Sequence, residues 1–300
     1  MNCFDCGESV PQFLQGLYQS WAKGGEGGQE EVTINGVTVP NYCTDCPAHF
    51  TTRSDLAYND GSYGRSLSFA WGSLNPDIVV VGEEPGPIGA SDVTESRTAT
   101  DYSKVKFRHR CDIMELPTSA SNSFALTERL FAHLDSHYDV HFTNAKKCNE
   151  LPENKLTEGG NDANSTAKVC CQGNNEKPGY LADELVTLDP DLVITLGKQA
   201  FDPIKRLCHV DSFPSAQNFS TRIVTGPEER PTRFRDYDVR INGYVKREST
   251  DFSLIPLMHP ADRGSQFRIY KENIKFPDND QKRWYFEQSA KTITDHILSK

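Results

Sequence analysis

No apolar run in this 300-residue chain approaches the roughly 18 residues a membrane-spanning helix needs, so no membrane association is expected. The first residues, Met1-Asn2-Cys3-Phe4-Asp5-Cys6, lack the basic segment followed by an apolar one that marks a secretory signal. A cytoplasmic protein is expected. There is no Gly-rich phosphate loop of the usual form, and no Ser or Cys in the setting of a nucleophile elbow. The sequence therefore gives no support to nucleotide-phosphate cradling or to acyl transfer through a hydroxyl or thiol. An overall excess of positive charge is missing as well. The formal net charge is −10, and an acidic surface repels phosphate, although only the charge facing a ligand counts. Nine cysteines is an odd number, and without a secretory signal a full disulfide framework is not expected.

What is present is a polar but globular balance, with 25% charged and 36% hydrophobic residues. The length suits one large domain or two modest ones. Cys3-x-x-Cys6 and Cys43-x-x-Cys46 have the spacing at which one turn offers two thiolates to a metal. Cys148 and the pair Cys170-Cys171 lie far downstream, while Cys111 and Cys208 are solitary. Two basic clusters stand out against the acidic background. Lys104 to Arg110 holds four permanent cations in seven residues, and Lys146-Lys147 adjoins a strand end. Both are expected to face phosphate if nucleic acid binds.

Hydrophobic patterning gives the architecture. Val10 to Trp21 fits a short helix, and Val32 to Val39 alternates around Asn35-Gly36 as a two-residue hairpin. Ile78-Val79-Val80-Val81 is entirely β-branched and runs into Gly82, the signature of a buried strand ending in a turn. Further strands are expected at Val140 to Asn144, Asp191 to Gly197 and Leu254 to Met258. Helices are expected at Ser123 to Leu134, Tyr180 to Leu188, Lys198 to Leu207 and Asp280 to Ser299, and a hairpin at Asp236 to Val245 around Asn242-Gly243. Strands separated by helices imply an α/β protein: a three-layer fold with a central, mostly parallel four-stranded sheet and helices on both faces.

The residues at the C-terminal strand ends carry the chemistry. They are Glu83 and Glu84, Asn144, Gly197 and His259. Open α/β sheets bind ligands at that edge. A carboxylate, an amide and an imidazole there can hold a planar heterocycle and activate a water. Each also has an ordinary reading as a solvated glutamate, a turn asparagine or a loop histidine before Pro260.

Four ordered motifs resemble those of the uracil-DNA glycosylase superfamily: Gly82-Glu83-Glu84-Pro85-Gly86, Thr143-Asn144-Ala145-Lys146-Lys147-Cys148, Leu196-Gly197-x-x-Ala200 and His259-Pro260-Ala261. The similarity is greatest to the iron–sulfur type, family 4, and spans roughly residues 40–300. It implies a cysteine-bearing extension over 1–70 and a glycosylase-like α/β domain over 71–300. The implied activity is hydrolysis of the N-glycosidic bond of uracil, or another deaminated base, in flipped-out DNA, by a chain acting as a monomer. Glu83 corresponds to the acid of the family 4 motif. Glu84 stands where family 1 keeps an Asp that handles the water, so either carboxylate is a candidate. Asn144 would read the base edge, His259 would stabilise the departing oxygen, and Gly82, Pro85 and Gly86 would line the site.

The resemblance also implies a [4Fe–4S] cluster held by Cys43, Cys46, Cys148 and one of Cys170 and Cys171. A four-cysteine zinc site of Cys3, Cys6, Cys43 and Cys46 is the rival. Two features depart from the family. Pro117 to Asn122 lacks the aromatic residue that stacks on uracil, with Tyr102 and Phe107 as substitutes, and the Gly-Arg-x-Gly element is absent. A non-catalytic nucleic-acid-binding protein that keeps fold and cluster is the competing class.

Overall fold

Ile78 to Gly82 is buried at all five positions, which explains its uninterrupted apolar run: a strand covered on both faces has no solvent side on which to alternate. The computed structural model describes residues 9–23, 29–42, 44, 71–83, 122–147, 171–173, 178–208, 238–242, 249–260 and 281–296. In chain order the strands are β1 (Glu31–Ile34), β2 (Val37–Pro40), β3 (Trp71–Gly72), β4 (Ile78–Gly82), β5 (Val140–Asn144), β6 (Leu192–Leu196), β7 (Asp238–Asn242) and β8 (Ser249–Leu257). The helices are α1 (Gln12–Lys23), α2 (Asn122–Asp135), α3 (Tyr180–Leu188), α4 (Lys198–Leu207) and α5 (Gln281–His296).

The main sheet has the order β3-β5-β4-β6-β8-β7. Its four inner strands, β5, β4, β6 and β8, are parallel, and these are the four expected from the sequence. Two antiparallel edge strands, β3 and β7, extend the expected four to six. β3 is two residues long, too short for periodicity to register. The hairpin expected at 236–245 is corrected as well. β7 pairs with β8 in the register Asp238↔Ser253 to Asn242↔Ser249, so β8 begins five residues before Leu254.

Side chains alternate across the sheet with period two and feed two cores. Ile78 and Val80 point to the face covered by Leu130 and Leu134 of α2 and Phe286 and Ile293 of α5. Val79 and Val81 point to the opposite face, covered by Leu14 and Leu17 of α1, Leu181 and Leu185 of α3 and Phe201 and Ile204 of α4. Each such buried aliphatic contributes about 1.5–3 kcal/mol. The result is the expected three-layer α/β arrangement. Asp189 closes α3 in the left-handed conformation (φ 47°), with its N–H donating to the Leu185 carbonyl. Thr250 Oγ1 donates to its carboxylate at 2.6 Å. Pro190 then prevents continuation.

The N-terminal α1 shares the second of these cores, and the hairpin packs on α1 through Val39 at Gly16. β1 and β2 turn at Asn35 (φ 52°) and Gly36 (φ 83°), the two-residue turn whose twist matches the strands. Tyr42, just beyond β2, meets Tyr180 edge to face with ring centroids 5.0 Å apart.

Candidate active site

Parallel strands place their C-terminal ends on one edge. The chain leaves β4 for β5 on one side and later returns to β6 on the other, so the edge beside β4 is a topological switch point, the place where open α/β sheets bind ligands. Glu83 follows β4, Asn144 ends β5, Gly197 follows β6 and His259 follows β8 by two residues. All four lie at this edge.

Glu83 and His259 come from strands separated by β6, yet His259 Nε2 lies 4.0 Å from Glu83 Oε2. Gly197 makes this reach feasible. It sits at φ 88°, and a Cβ built on it would lie 2.7 Å from His259 Cβ and 3.2 Å from Cδ2. The imidazole therefore lies against the space a side chain at 197 would take. The two side chains are 31% and 30% exposed, so the pair is open to an incoming ligand. The Met258 N–H donates to the Tyr285 hydroxyl at 3.3 Å and the Gly197 N–H to the Leu257 carbonyl at 2.7 Å, which fixes the end of β8.

Asn144 is opposite Gly82 in the β4–β5 ladder. A Cβ on Gly82 would lie 2.5 Å from Asn144 Oδ1 and 3.1 Å from Phe142 Cζ. The bare backbone of Gly82 leaves that room to the amide. Asn144 is 6% exposed, and no hydrogen bond joins its side-chain amide to any described residue. Its amide has two donors and an acceptor to offer a polar ligand at this edge. The turn after Asn144 is held against β4: the Ala145 N–H donates to the Gly82 carbonyl and the Lys146 N–H to the Glu83 carbonyl, both at 2.9 Å.

Behind this turn, on the α3 side, lies a buried polar network that the sequence reading missed. Glu184 is fully buried. Its Oε1 accepts from the Tyr18 hydroxyl at 2.9 Å, and its Oε2 from Thr143 Oγ1 at 2.8 Å and Lys147 Nζ at 2.5 Å. Lys147 Nζ also donates to Thr143 Oγ1 at 2.6 Å. His141 donates from Nδ1 to the Ser73 carbonyl at 2.8 Å, leaving Nε2 3.9 Å from Glu184 Oε1. That separation is too long for a direct hydrogen bond. Burial alone would raise the Glu184 carboxyl. The Lys147 charge and the His141 and Lys147 contacts together outweigh burial and hold it down at about 2. Burial pushes the Tyr18 hydroxyl up, reinforced by Glu184. Next to Glu184, Asp183 accepts from the Tyr42 hydroxyl at 2.6 Å. One sequence signal was available: Glu184 lies three residues after Leu181 and four before Leu188, on the apolar stripe of α3.

Lys146 and Lys147 are buried, at 1% and 2% exposure, so the expectation that they face phosphate is corrected. Glu84, Pro85, Gly86, Cys43, Cys46, Cys148, Cys170 and the Lys104 to Arg110 cluster lie outside the described residues. Cys171 is described and buried and carries no disulfide. Burial pushes the neighbouring Lys147 ammonium down, opposed first by Glu184 and least by Cys171. The neighbours of the other cysteines converge on the same place. Tyr42 precedes Cys43 and Lys147 precedes Cys148, and both bond to the adjacent acids of α3. Residues 171–173 pack against Gly179, the residue that opens α3, where a Cβ would lie 2.7 Å from the Cys171 carbonyl oxygen.

A mostly parallel sheet with helices on both faces, and with carboxylate, amide and imidazole at its C-terminal edge, defines an α/β protein with its ligand site outside the strand ends. The chain belongs to the uracil DNA glycosylase superfamily, whose family model matches residues 69–285. The match runs from just before β3 into α5 and takes in Glu83, Asn144, Gly197 and His259. It leaves out α1 and the β1–β2 hairpin. No match to an individual curated protein is found.

Proposed function

We propose that this protein is a DNA glycosylase that hydrolyses the N-glycosidic bond of uracil, or of another deaminated base, in a nucleotide turned out of the DNA. One observation carries the reading. The Glu83 carboxylate lies 4.0 Å from the His259 imidazole, and on the next strand the Asn144 amide makes no hydrogen bond to a described residue. Bond cleavage leaves a cationic, oxocarbenium-like sugar and an anionic base. Glu83 stabilises the cation and orients a water; the water oxygen bonds to the anomeric carbon as the C–N bond breaks, and the water proton passes to the carboxylate. His259 donates a hydrogen bond to the base oxygen on which negative charge grows. Asn144 offers both donor and acceptor to the edge of the extruded base. Glu84, the next residue, is the alternative water-handling carboxylate. DNA with a uracil or related lesion is the partner, and the Lys104 to Arg110 cluster supplies the cations for its backbone.

The cofactor we propose is a [4Fe–4S] cluster on Cys43, Cys46, Cys148 and one of Cys170 and Cys171. The meeting of the segments next to these cysteines around the start of α3 supports it. When bound, such a cluster joins these segments through iron–thiolate bonds. Purified protein should be brown and contain iron and sulfide, and Cys148→Ala should bleach it. One zinc with no iron, retained in Cys148→Ala, favours the zinc site instead.

The decisive experiment is incubation with a uracil-containing oligonucleotide followed by alkaline cleavage. Strand scission at the uracil is the expected result. Binding of DNA without excision of uracil, hypoxanthine or xanthine replaces the glycosylase by a binding protein of the same fold.

A further inference from the structure

Asn144 reads a base only if the turn that carries it is held rigidly, and its own side chain contributes no bond to a described residue. The turn is pinned from the other face of the sheet. Thr143 immediately before Asn144 and Lys147 three residues after it both donate to Glu184 Oε2, at 2.8 and 2.5 Å. Lys147 also bonds Thr143 directly, at 2.6 Å, which closes a triangle under the turn. Between these anchors the Ala145 and Lys146 amides hold the Gly82 and Glu83 carbonyls. One carboxylate thus fixes the residue that faces the base and, through the backbone, the segment that carries the acid. The third hydrogen-bond partner of Glu184, the Tyr18 hydroxyl, comes from α1, outside the matched family region.

We infer that Glu184, braced by Tyr18, is a positioning residue of the active site that holds the 143–147 turn in register with β4, so that Asn144 and Glu83 keep their places. The inference rests on the glycosylase reading only for its catalytic consequence; the mechanical part stands apart from it. Hydrogen bonds to a charged, fully buried carboxylate are among the stronger ones in a protein, and the groups they leave behind have no water to turn to.

The test is amide hydrogen exchange on the full-length protein, with wild type, Glu184→Gln and Tyr18→Phe in parallel. The reporters are the Ala145 and Lys146 amides, with β6 and α5 as internal controls. Glu184→Gln should speed exchange of the reporters on the order of tenfold or more, with β6 and α5 unchanged. Tyr18→Phe, which keeps the ring in its core, should do the same more weakly. Equal acceleration everywhere means only global loss of stability, and no acceleration means the turn holds itself; either result overturns the inference. Should Glu184→Gln fail to fold, Tyr18→Phe decides alone. A second arm measures excision of uracil against cytosine. If Glu184 acts through Asn144, the double variant Glu184→Gln/Asn144→Ala discriminates no worse than Asn144→Ala, whereas independent losses that multiply would overturn it. A wild type inactive on uracil, hypoxanthine and xanthine alike sinks the glycosylase reading and leaves the exchange result to decide the positioning role.

Discussion

At the scale of single residues, the site is built as much by missing side chains as by those present. His259 meets Glu83 across an intervening strand because position 197 is Gly, and Asn144 has room for its amide because position 82 is Gly. The three polar groups should then separate in mutants. His259→Ala removes one donor to the leaving base, a loss typically on the order of 100- to 1,000-fold in rate. Asn144→Ala should instead erode the preference for uracil over cytosine, since the amide reads the base edge. Single-turnover rates on matched uracil and cytosine oligonucleotides distinguish the two; equal loss on both bases in Asn144→Ala would remove its reading role. Gly82→Ala provides a harsher check. Its methyl would sit 2.5 Å from Asn144 Oδ1 and 3.1 Å from Phe142, closer than atoms pack. Excision should fall to the level of Asn144→Ala or below while the circular dichroism spectrum stays that of an α/β protein. Full activity in Gly82→Ala would show that Asn144 does not need its present place.

At the scale of elements, α3 is the pivot, because it carries two buried acids on an otherwise apolar face. Glu184 sits near 2, below the value of about 4.3 for an unfolded glutamate. A carboxyl depressed on folding stabilises the native state above its unfolded value, and that contribution drains away as pH falls through the folded value. The window therefore runs from roughly pH 4.5 down to about pH 2. Measured by urea unfolding, wild type should exceed Glu184→Gln at neutral pH, and the gap should narrow through that window. A gap that stays constant on acidification would mean the carboxylate is not held as a charge. This element also shows what was legible beforehand. The β-branched run of β4 and the apolar stripe of α3 were plain from periodicity, because both are buried in the way their period demands. The four strand-end residues were legible because parallel strands share one chemical edge. Glu184, Tyr18 and Lys147 were not. Their partners lie up to 166 residues apart in sequence, and a charged side chain gives no local sign that its counter-charge is buried with it. Lys147 illustrates the cost of local reading: next to a strand end it looks like a phosphate ligand, yet it points inward to a carboxylate.

At the scale of the whole molecule, the question is where the folding unit begins. The family match starts at residue 69, but the core on the α3 side of the sheet does not. Val10, Leu14 and Leu17 are at most 3% exposed, and they pack in the same cluster as Val79, Val193 and Leu254 of the central strands. Three aliphatics at about 1.5–3 kcal/mol each amount to something on the order of 5 kcal/mol or more. That is a large part of the 5–15 kcal/mol by which typical domains are stable. Tyr18 and Tyr42 add hydroxyls to two buried carboxylates, so removing them strands polar groups as well as apolar surface. A chain that starts at residue 69 should therefore fold poorly even though it holds every motif of the site. We expect it to be insoluble or to unfold well below the full chain, with a melting temperature lower by ten degrees or more, following the roughly 2–4 degrees per kcal/mol of domains this size. Thermal unfolding of the two chains side by side decides the matter. If residues 69–300 melt together with the full-length protein, α1 and its hairpin are an appendage, and the contacts of Tyr18 and Tyr42 do not carry the weight assigned to them.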